Sequence, residues 1–271
     1  MDNRPIGIFD SGLGGLTGMK ALLELLPEEN IIYFADSGRN PYGSRTREQV
    51  RRMAEQNLRF VTSFDVKAIL VACGTVSSNA GDLLERWPLP TAGVLLPAAD
   101  FIGRLPGDAP VAVAATAASI RSGSYQQALR EHCPGREVVA AACPDFVPLI
   151  ESGRVEPDDP KLRRAVEYYL QPLKERGVGT LLLGCTHYGL IDGALRDYLG
   201  EGVRLVDASE CAAAFIKQYL ENNGLRGGEG KLRCLTSGER ERFERLAPLF
   251  LGQEEPPRTE TVPVMPAEED E

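Results

Sequence analysis

Two cysteines follow apolar segments of the same kind. The sequence reads ILVACGT at 69–75 and LLLGCTH at 181–187, so Cys73 and Cys185 each come shortly after an apolar run. Such a run is typical of a strand buried on both faces, and in parallel α/β sheets active sites form at the carboxyl ends of these strands. The two thiols are too far apart in sequence for a C-x-x-C redox pair or a compact zinc site. The pattern therefore predicts two opposed proton carriers that face each other across a cleft.

Polar side chains also follow other predicted strands. Asp10 ends the first one and enters a glycine-rich turn, where it is either the cap of the next helix or a functional group. The turn has neither the Gly-Lys-Ser/Thr of a P-loop nor the G-x-G-x-x-G spacing of a dinucleotide fold. Thr116 and Ser119 follow a later strand, with the same two alternatives. His187 comes two residues after Cys185, where an imidazole can shuttle or stabilise a proton.

The order of the predicted elements places these side chains at the edges of sheets. Apolar runs of strand length alternate with segments of helical spacing from residue 6 onward, and a capping box at 46–49 opens one helix. One strand is predicted over 91–96, ended by Pro97. The predicted fold class is α/β, with two similar domains, each a mainly parallel sheet flanked by helices, and an active site in the cleft between them.

The first predicted domain is discontinuous along the chain, and the second is inserted into it. Domain 1 comprises residues 1–97 and 208–271 and carries Cys73, whereas domain 2 comprises residues 98–207 and carries Cys185. The segment after residue 211 holds too few elements for a domain of its own, so we expect it to pack on the first half.

The composition of the chain indicates which classes of binding partner to expect. The net charge of −9 and the pI near 5.0 argue against nucleic acid and anionic membrane surfaces as partners. The sequence has no membrane-length apolar stretch and no secretory leader before the first strand, so we expect a cytoplasmic protein. No metal site and no pyridoxal-binding lysine motif is recognisable, and we predict no cofactor. The predicted partner is a small molecule. The sequence leaves the oligomeric state open between a monomer and a homodimer.

In its motifs the chain resembles the glutamate racemases, a cofactor-independent family that supplies D-glutamate for bacterial cell walls. The segment LGCTHY at 183–188 is the most specific match. The other matching motifs are FDSGLGG at 9–15, YFAD at 33–36, PYG at 41–43, VAC at 71–73 with Thr75, and ACP at 142–144 leading to Glu151.

This resemblance implies racemisation of L-glutamate to D-glutamate for peptidoglycan precursor synthesis. It implies that Cys73 deprotonates D-glutamate, that Cys185 deprotonates L-glutamate, and that Asp10, Glu151 and His187 assist them. Together with the strand-end pattern it predicts a substrate site made of Asp10, Ser11, Pro41, Tyr42, Gly43, Gly74, Thr75, Thr116, Ser119, Thr186 and His187.

The chemistry of racemisation agrees with these roles. A proton must leave one face of the α-carbon and another must arrive at the opposite face, so a base and an acid have to stand on opposite sides. A free thiol is mostly protonated at neutral pH, and a helix N-terminus beside the strand end is expected to lower the thiol pKa. One cysteine can then wait as thiolate and the other as thiol. We expect the carbanion to be stabilised by hydroxyl donors, namely Ser11, Thr75, Thr116 and Thr186.

Three positions depart from the family pattern. The family usually has asparagine where this chain has Gly74, glutamate where it has Leu96 and proline where it has Gly189. Loss of an amide donor to a charged group at position 74 costs about 1.5–3 kcal/mol, unless glycine is required by the backbone or by a neighbour, such as a side chain near Leu96. The alternative function is therefore a racemase-fold protein with weakened catalysis that acts on another amino acid or as a binding protein.

Overall fold

The structure, a computed structural model, describes residues 1–265 of the chain, so the last six residues of predicted domain 1 lie outside the described part. The strands are β1 (Ile6–Asp10), β2 (Ile31–Ala35), β3 (Ala68–Val71), β4 (Thr91–Gly93), β5 (Val111–Ala115), β6 (Val138–Ala142), β7 (Thr180–Leu183), β8 (Arg204–Asp207), β9 (Leu232–Thr236) and β10 (Thr259–Thr261). The helices are α1 (Leu16–Leu25), α2 (Arg47–Thr62), α3 (Gly74–Asn79), α4 (Gly81–Glu85), α5 (Leu95–Gly103), α6 (Ala117–Ser122), α7 (Ser124–His132), α8 (Phe146–Glu151), α9 (Pro160–Glu175), α10 (Asp192–Leu199), α11 (Ala208–Asn222) and α12 (Arg240–Leu251).

The strands form two separate parallel sheets. One has the order β10-β9-β2-β1-β3-β4 and the other has the order β6-β5-β7-β8, and every strand pair in both is parallel. The predicted α/β class with two mainly parallel sheets is confirmed. We call the six-stranded sheet with its packed helices, including α1, α11 and α12, the first lobe, and the four-stranded sheet with its helices the second lobe.

The same strand order occurs in both lobes. The run β2-β1-β3-β4 of the first sheet corresponds to β6-β5-β7-β8 of the second. In each run the strand that comes first in the chain, β1 or β5, has the next strand, β2 or β6, on one side and the following two strands on its other side. Cys73 follows β3 and Cys185 follows β7, which are equivalent strands. The two thiols therefore occupy equivalent ends of two similarly wound sheets.

The central strands are apolar throughout because helices cover both of their faces. In β3, Ala68 and Leu70 belong to one buried cluster, and Ile69 and Val71 belong to a second cluster on the other face. All four residues are fully buried. Side chains of a strand alternate between faces, so a strand covered on both faces reads as a continuous apolar run.

Two local predictions have opposite outcomes. The capping box is confirmed: the Thr46 hydroxyl accepts from the Gln49 N–H at 3.3 Å, and the Gln49 side chain accepts from the Thr46 N–H at 3.1 Å. The strand over 91–96 is wrong, since β4 ends at Gly93 and α5 begins at Leu95. Pro97 lies in the first turn of α5, where a missing N–H removes no helical hydrogen bond.

The predicted domain limits fall at different kinds of position. Residue 97 lies inside α5, whereas residue 208 is the first residue of α11. These limits stay a prediction. Over residues 1–265, no helix has both the length and the apolar character needed to cross a membrane.

Candidate active site

The carboxyl ends of both sheets open onto one cavity of about 350 Å³. Asp10, the last residue of β1, and Cys73, which follows β3, reach it from the first lobe. Thr116, Cys143 and Cys185 reach it from the second lobe, after β5, β6 and β7. Both predicted proton carriers thus line the same cavity, and each comes from a different sheet.

Most of the predicted site residues line this cavity. Those that do are Asp10, Ser11, Pro41, Tyr42, Gly43, Cys73, Gly74, Thr75, Thr116, Cys185, Thr186 and His187. Ser119 does not; it is fully buried, and its hydroxyl accepts from the Thr116 hydroxyl at 3.0 Å. Glu151 lies behind His187 and lines a neighbouring cavity of about 250 Å³. The roles assigned to these residues stay a prediction.

Asp10 holds the glycine turn and also faces the cavity. Its Oδ2 accepts from the N–H of Gly15 at 2.9 Å and from the N–H of Gly12 at 3.3 Å. The Ser11 hydroxyl donates to the other oxygen at 3.4 Å. Of the two alternatives drawn from the sequence, the helix N-cap is wrong, because the N-cap of α1 is Gly15 and no side chain caps that helix; Asp10 orders the turn with one oxygen while its carboxylate lines the cavity.

Cys73 lies beside this carboxylate. Its Sγ is 3.6 Å from the Ser11 hydroxyl, and the side chain is 3% exposed. Burial and the negative charge of Asp10 raise the pKa of the Cys73 thiol well above its usual range. The expected lowering by a helix N-terminus is outweighed: the backbone N–H of Val76, in the first turn of α3, lowers this pKa, but burial and Asp10 raise it by more. Cys73 is a thiol in this state of the site.

Cys185 has a different partner. Its Sγ is 3.9 Å from Nδ1 of His187, and Nε2 of His187 is 3.1 Å from Oε1 of Glu151. Burial alone lowers the pKa of His187, but hydrogen bonds to Cys185 and Glu151 outweigh it and raise the pKa to about 10. An imidazolium therefore stands beside Cys185 at neutral pH, within hydrogen-bond reach of its sulfur.

The glycine turn after β1 lies directly against the loop that carries Cys185. A Cβ at Gly14 would overlap the Thr186 hydroxyl and the imidazole of His187. Next to it, the Thr17 hydroxyl lies 3.0 Å from the carbonyl oxygen of Thr186 and 3.1 Å from the Ser209 hydroxyl. Only glycine permits this approach, which joins the two lobes behind the cavity.

Hydroxyl groups also meet at the front of the cavity. Oγ1 of Thr75, from the first lobe, lies 3.0 Å from Oγ1 of Thr116, from the second lobe. Thr116 in turn caps α6, where its hydroxyl accepts from the Ser119 N–H. Two of the four predicted hydroxyl donors are thus held next to each other.

The loop after β2 is fixed by a buried carboxylate. Tyr42, which is 1% exposed, donates its hydroxyl hydrogen to Asp36 and accepts from the Asn57 side chain at 3.2 Å. Asp36 also accepts from the Ser237 hydroxyl at 2.8 Å. The peptide between Asn40 and Pro41 is cis. This network orders the part of the loop that lines the cavity.

Gly74 has a structural reason to be glycine. A Cβ at this position would overlap the carbonyl oxygen of Gly184, and it would lie 3.1 Å from the Tyr125 hydroxyl. The space is therefore filled by backbone rather than by a side chain near Leu96, which is 46% exposed and lines another cavity. At Gly189, a Cβ would overlap a carboxylate oxygen of Asp207.

Several lining residues are absent from the sequence-based site, namely Asn40, Ser44, Ala117, Arg121, Cys143, Pro144, Val147 and Pro148. The motif at 142–144 contained a signal for Cys143 and Pro144, since it follows a strand. No motif marks Arg121, which lies in the last turn of α6 and is the only arginine or lysine among the lining residues in the described part of the chain. Within residues 1–265, no group of three or more His, Cys, Asp or Glu side chains could hold a metal ion.

The chain is similar to known racemases over most of its length. A sequence model described as Asp/Glu/Hydantoin racemase matches residues 14–216. A glutamate racemase of Aquifex aeolicus is 39% identical over 254 residues, covering 93% of this chain and 96% of the relative. The crystal structure of Francisella tularensis glutamate racemase in complex with D-glutamate superposes with a TM-score of 0.90 at 33% identity, covering 97% of this chain and 99% of that one. A Thermus thermophilus glutamate racemase structure gives 0.87 at 38% identity, with the same coverage.

Proposed function

The chain belongs to the Asp/Glu/Hydantoin racemase family, and on that basis we propose that it interconverts L- and D-glutamate without a cofactor, using two cysteines. Family membership confirms the resemblance seen in the sequence. One observation carries the two-base proposal: Cys73 and Cys185 reach one cavity from two sheets, and each has its own acid–base neighbour, Asp10 for the first and His187 for the second.

The two thiols have different neighbours, and this difference supports different roles for Cys73 and Cys185. Burial and Asp10 raise the pKa of Cys73, which favours its thiol, whereas Cys185 has the imidazole of His187 as its neighbour instead of a carboxylate. In this proposal Cys185 removes the α-proton of L-glutamate, and the Cys73 thiol delivers a proton to the opposite face. For D-glutamate the roles are reversed: Cys73 is the base and Cys185 is the acid, and the substrate ammonium group supplies a positive charge that helps Cys73 to ionise.

Charge on the carbanion needs donors aimed at the substrate carboxylate. Thr75 and Thr116 hold their hydroxyls 3.0 Å apart in the wall of the cavity, and Thr186 lines it next to Cys185. Without substrate the Thr116 hydroxyl donates to Ser119 and the Thr75 hydroxyl donates to Thr116, so in this proposal the substrate carboxylate takes over these hydrogens when it binds, and the donors then stabilise the charge that develops in the step. In this proposal the hydroxyl groups take the place of the electron sink that a cofactor provides in other racemases. The D-glutamate formed would serve peptidoglycan precursor synthesis.

The direct test is exchange of the α-proton with solvent. After dialysis against a chelator, the protein is incubated in D₂O with L-glutamate or D-glutamate, and deuterium at the α-carbon and optical rotation are followed. We expect both enantiomers to exchange and to reach a racemic mixture. L- and D-aspartate are the matched control. Exchange of aspartate alone would support the alternative substrate, and no exchange of either would support a binding protein.

A further inference from the structure

The C-terminal helix α12 contacts the acid–base pair of Cys185 at two points. The ring of Phe250 meets the imidazole of His187 edge-on, with a centroid distance of 5.2 Å and an interplanar angle of 87°. Arg242, about two turns earlier on the same helix, donates from a guanidinium nitrogen to Oε2 of Glu151 at 2.7 Å. One helix of the first lobe thus touches both partners of an ion pair that belongs to the second lobe.

Each carboxylate oxygen of Glu151 contacts a different cation. Oε1 lies on His187, and Oε2 lies on Arg242. The Glu151 side chain is 11% exposed, so an oxygen without a partner here would be costly. Arg242 therefore satisfies the oxygen that His187 leaves over, and it fixes the rotation of the carboxylate.

Arg242 itself does not touch the substrate cavity. It lines the neighbouring cavity with Glu151 and Glu239, and its side chain is 52% exposed. Its direct contact with the acid–base pair of Cys185 is the ion pair with Glu151. Arg242 also lies beyond the residues 14–216 that the family model matches.

We propose that Arg242 is a positioning residue for Cys185: it holds Glu151 against His187 and thereby keeps the imidazole in contact with the sulfur. This proposal rests on the proposed function. The chain of contacts runs from Arg242 through Glu151 and His187 to Cys185, each link being a hydrogen bond or ion pair.

The charges around this chain of contacts predict the direction in which the pKa of His187 changes when Arg242 is replaced. His187 faces Cys185 and Glu151, and both raise its pKa against the effect of burial. Glu151 faces His187 and Arg242; burial raises its pKa, but the two cations outweigh burial and lower it. Loss of Arg242 removes a positive charge, which by itself would raise the pKa of His187. If Arg242 acts by position, however, Glu151 turns away, and the pKa of His187 falls.

The experiment compares Arg242→Gln and Arg242→Lys with Arg245→Gln, which alters an exposed arginine of the same helix. Because the chain has two histidines, NMR of histidine-labelled protein follows His187 with His132 as an internal control. We expect Arg242→Gln to lower the pKa of His187 by about one unit, a tenfold change in its protonation equilibrium. We expect Arg242→Lys to restore most of it and Arg245→Gln to change nothing.

A second readout reports on the thiols without substrate. The rate of alkylation by iodoacetamide, resolved by mass spectrometry, should fall several-fold at Cys185 in Arg242→Gln, while Cys73 serves as the control in the same molecule. With glutamate, kcat should fall and KM should stay within about twofold, since Arg242 does not line the cavity.

A double-mutant cycle tests whether Arg242 acts through Glu151. On a Glu151→Gln background, Arg242→Gln should have no further effect on His187 or on Cys185. An unchanged or raised pKa of His187 in Arg242→Gln, or an additive effect in the cycle, would overturn the proposal. If the unaltered protein does not racemise glutamate, the proposed function fails, but the titration and the alkylation rates still decide the role of Arg242.

Discussion

Gly74 and Gly184, which belong to different lobes, lie in direct contact: a Cβ on the first would overlap the carbonyl oxygen of the second. Gly74 follows Cys73, and Gly184 precedes Cys185. The Gly184 carbonyl also accepts from the Tyr125 hydroxyl at 3.0 Å, which restricts its movement. The loops that carry the two thiols therefore touch through glycine backbone, and this contact sets the separation of the proton carriers.

Enlarging Gly74 should damage both stability and turnover. For Gly74→Ala and Gly74→Asn we expect a loss of about 1–3 kcal/mol in unfolding free energy from overpacking, and a fall in kcat of at least tenfold from misplaced thiols. Thermal denaturation and steady-state kinetics measure both. Gly81→Ala is the matched control, because a Cβ there meets nothing within 4 Å. Improved turnover in Gly74→Asn would revive the missing-donor explanation.

Removing either thiol should abolish racemisation. Cys73→Ala and Cys185→Ala each lose a proton carrier, and we expect activity to fall by about 10²–10⁴-fold or more with little change in melting temperature. Cys211→Ala and Cys234→Ala are controls of the same chemistry, since neither residue lines the cavity. A Cys73→Ala or Cys185→Ala protein that keeps a tenth of the activity would contradict the two-base mechanism.

Serine variants should separate the roles of the two cysteines. The equilibrium constant of racemisation is one, so kcat/KM must stay equal in both directions, and rates alone cannot assign a direction. In Cys185→Ser the proton transfer at the L face becomes limiting, because a hydroxyl is a weaker acid than a thiol. The deuterium isotope effect on kcat/KM should then be larger for L-[2-²H]glutamate than for the D enantiomer. Cys73→Ser should show the reverse, and equal effects would contradict separate roles.

Arg121 should contribute to binding of an anionic substrate. It is an exposed cation at the cavity and, among residues 1–265, the only lysine or arginine in its lining. For Arg121→Gln we expect KM for both enantiomers to rise about two- to fivefold with kcat unchanged, which is the range of an exposed charge interaction. The rise should shrink at high salt. Arg130→Gln, an exposed arginine on α7, is the control.

The charge of His187 should appear in the pH dependence of stability. Its pKa is raised to about 10 in the folded protein, against about 6.5 unfolded, through Cys185 and Glu151. The stabilisation is therefore fully present below about pH 6.5 and is lost as the pH rises through about 10. Denaturation of the wild type and of His187→Gln from pH 6 to 11 should show a stability difference that shrinks toward the alkaline end. A constant difference would mean that His187 is neutral.

Features that depend on local pattern could be predicted from the sequence. The buried strands β3 and β7 and the capping box of α2 follow from apolar runs and from one pair of polar residues. The run at 91–96 could not be resolved in this way, because a short apolar segment fits a strand or a buried helix equally well. Pro97 was compatible with both, as the end of a strand or the first turn of a helix.

Features that depend on distant contacts left no signal in the sequence. The raised pKa of Cys73 results from its burial beside Asp10, 63 positions earlier in the chain, and local spacing suggested the opposite direction. The overlap that excludes a side chain at Gly74 involves the backbone of the other lobe. The contact of Arg242 with Glu151 joins helices that no shared motif connects.

The pairing of β2 with β9 affects the risk of aggregation of the nascent chain during translation. The strand Ile31–Ala35, with the sequence IIYFA, bonds to β1 on one side and to Leu232–Thr236 on the other. The whole second lobe is translated between these two strands, an interval on the order of ten to forty seconds at ribosomal speed. During that time one edge of an apolar strand has no native partner, which makes it a template for aggregation. We expect the nascent protein to depend on protection of this edge, by a chaperone or by the ribosome itself, until β9 emerges.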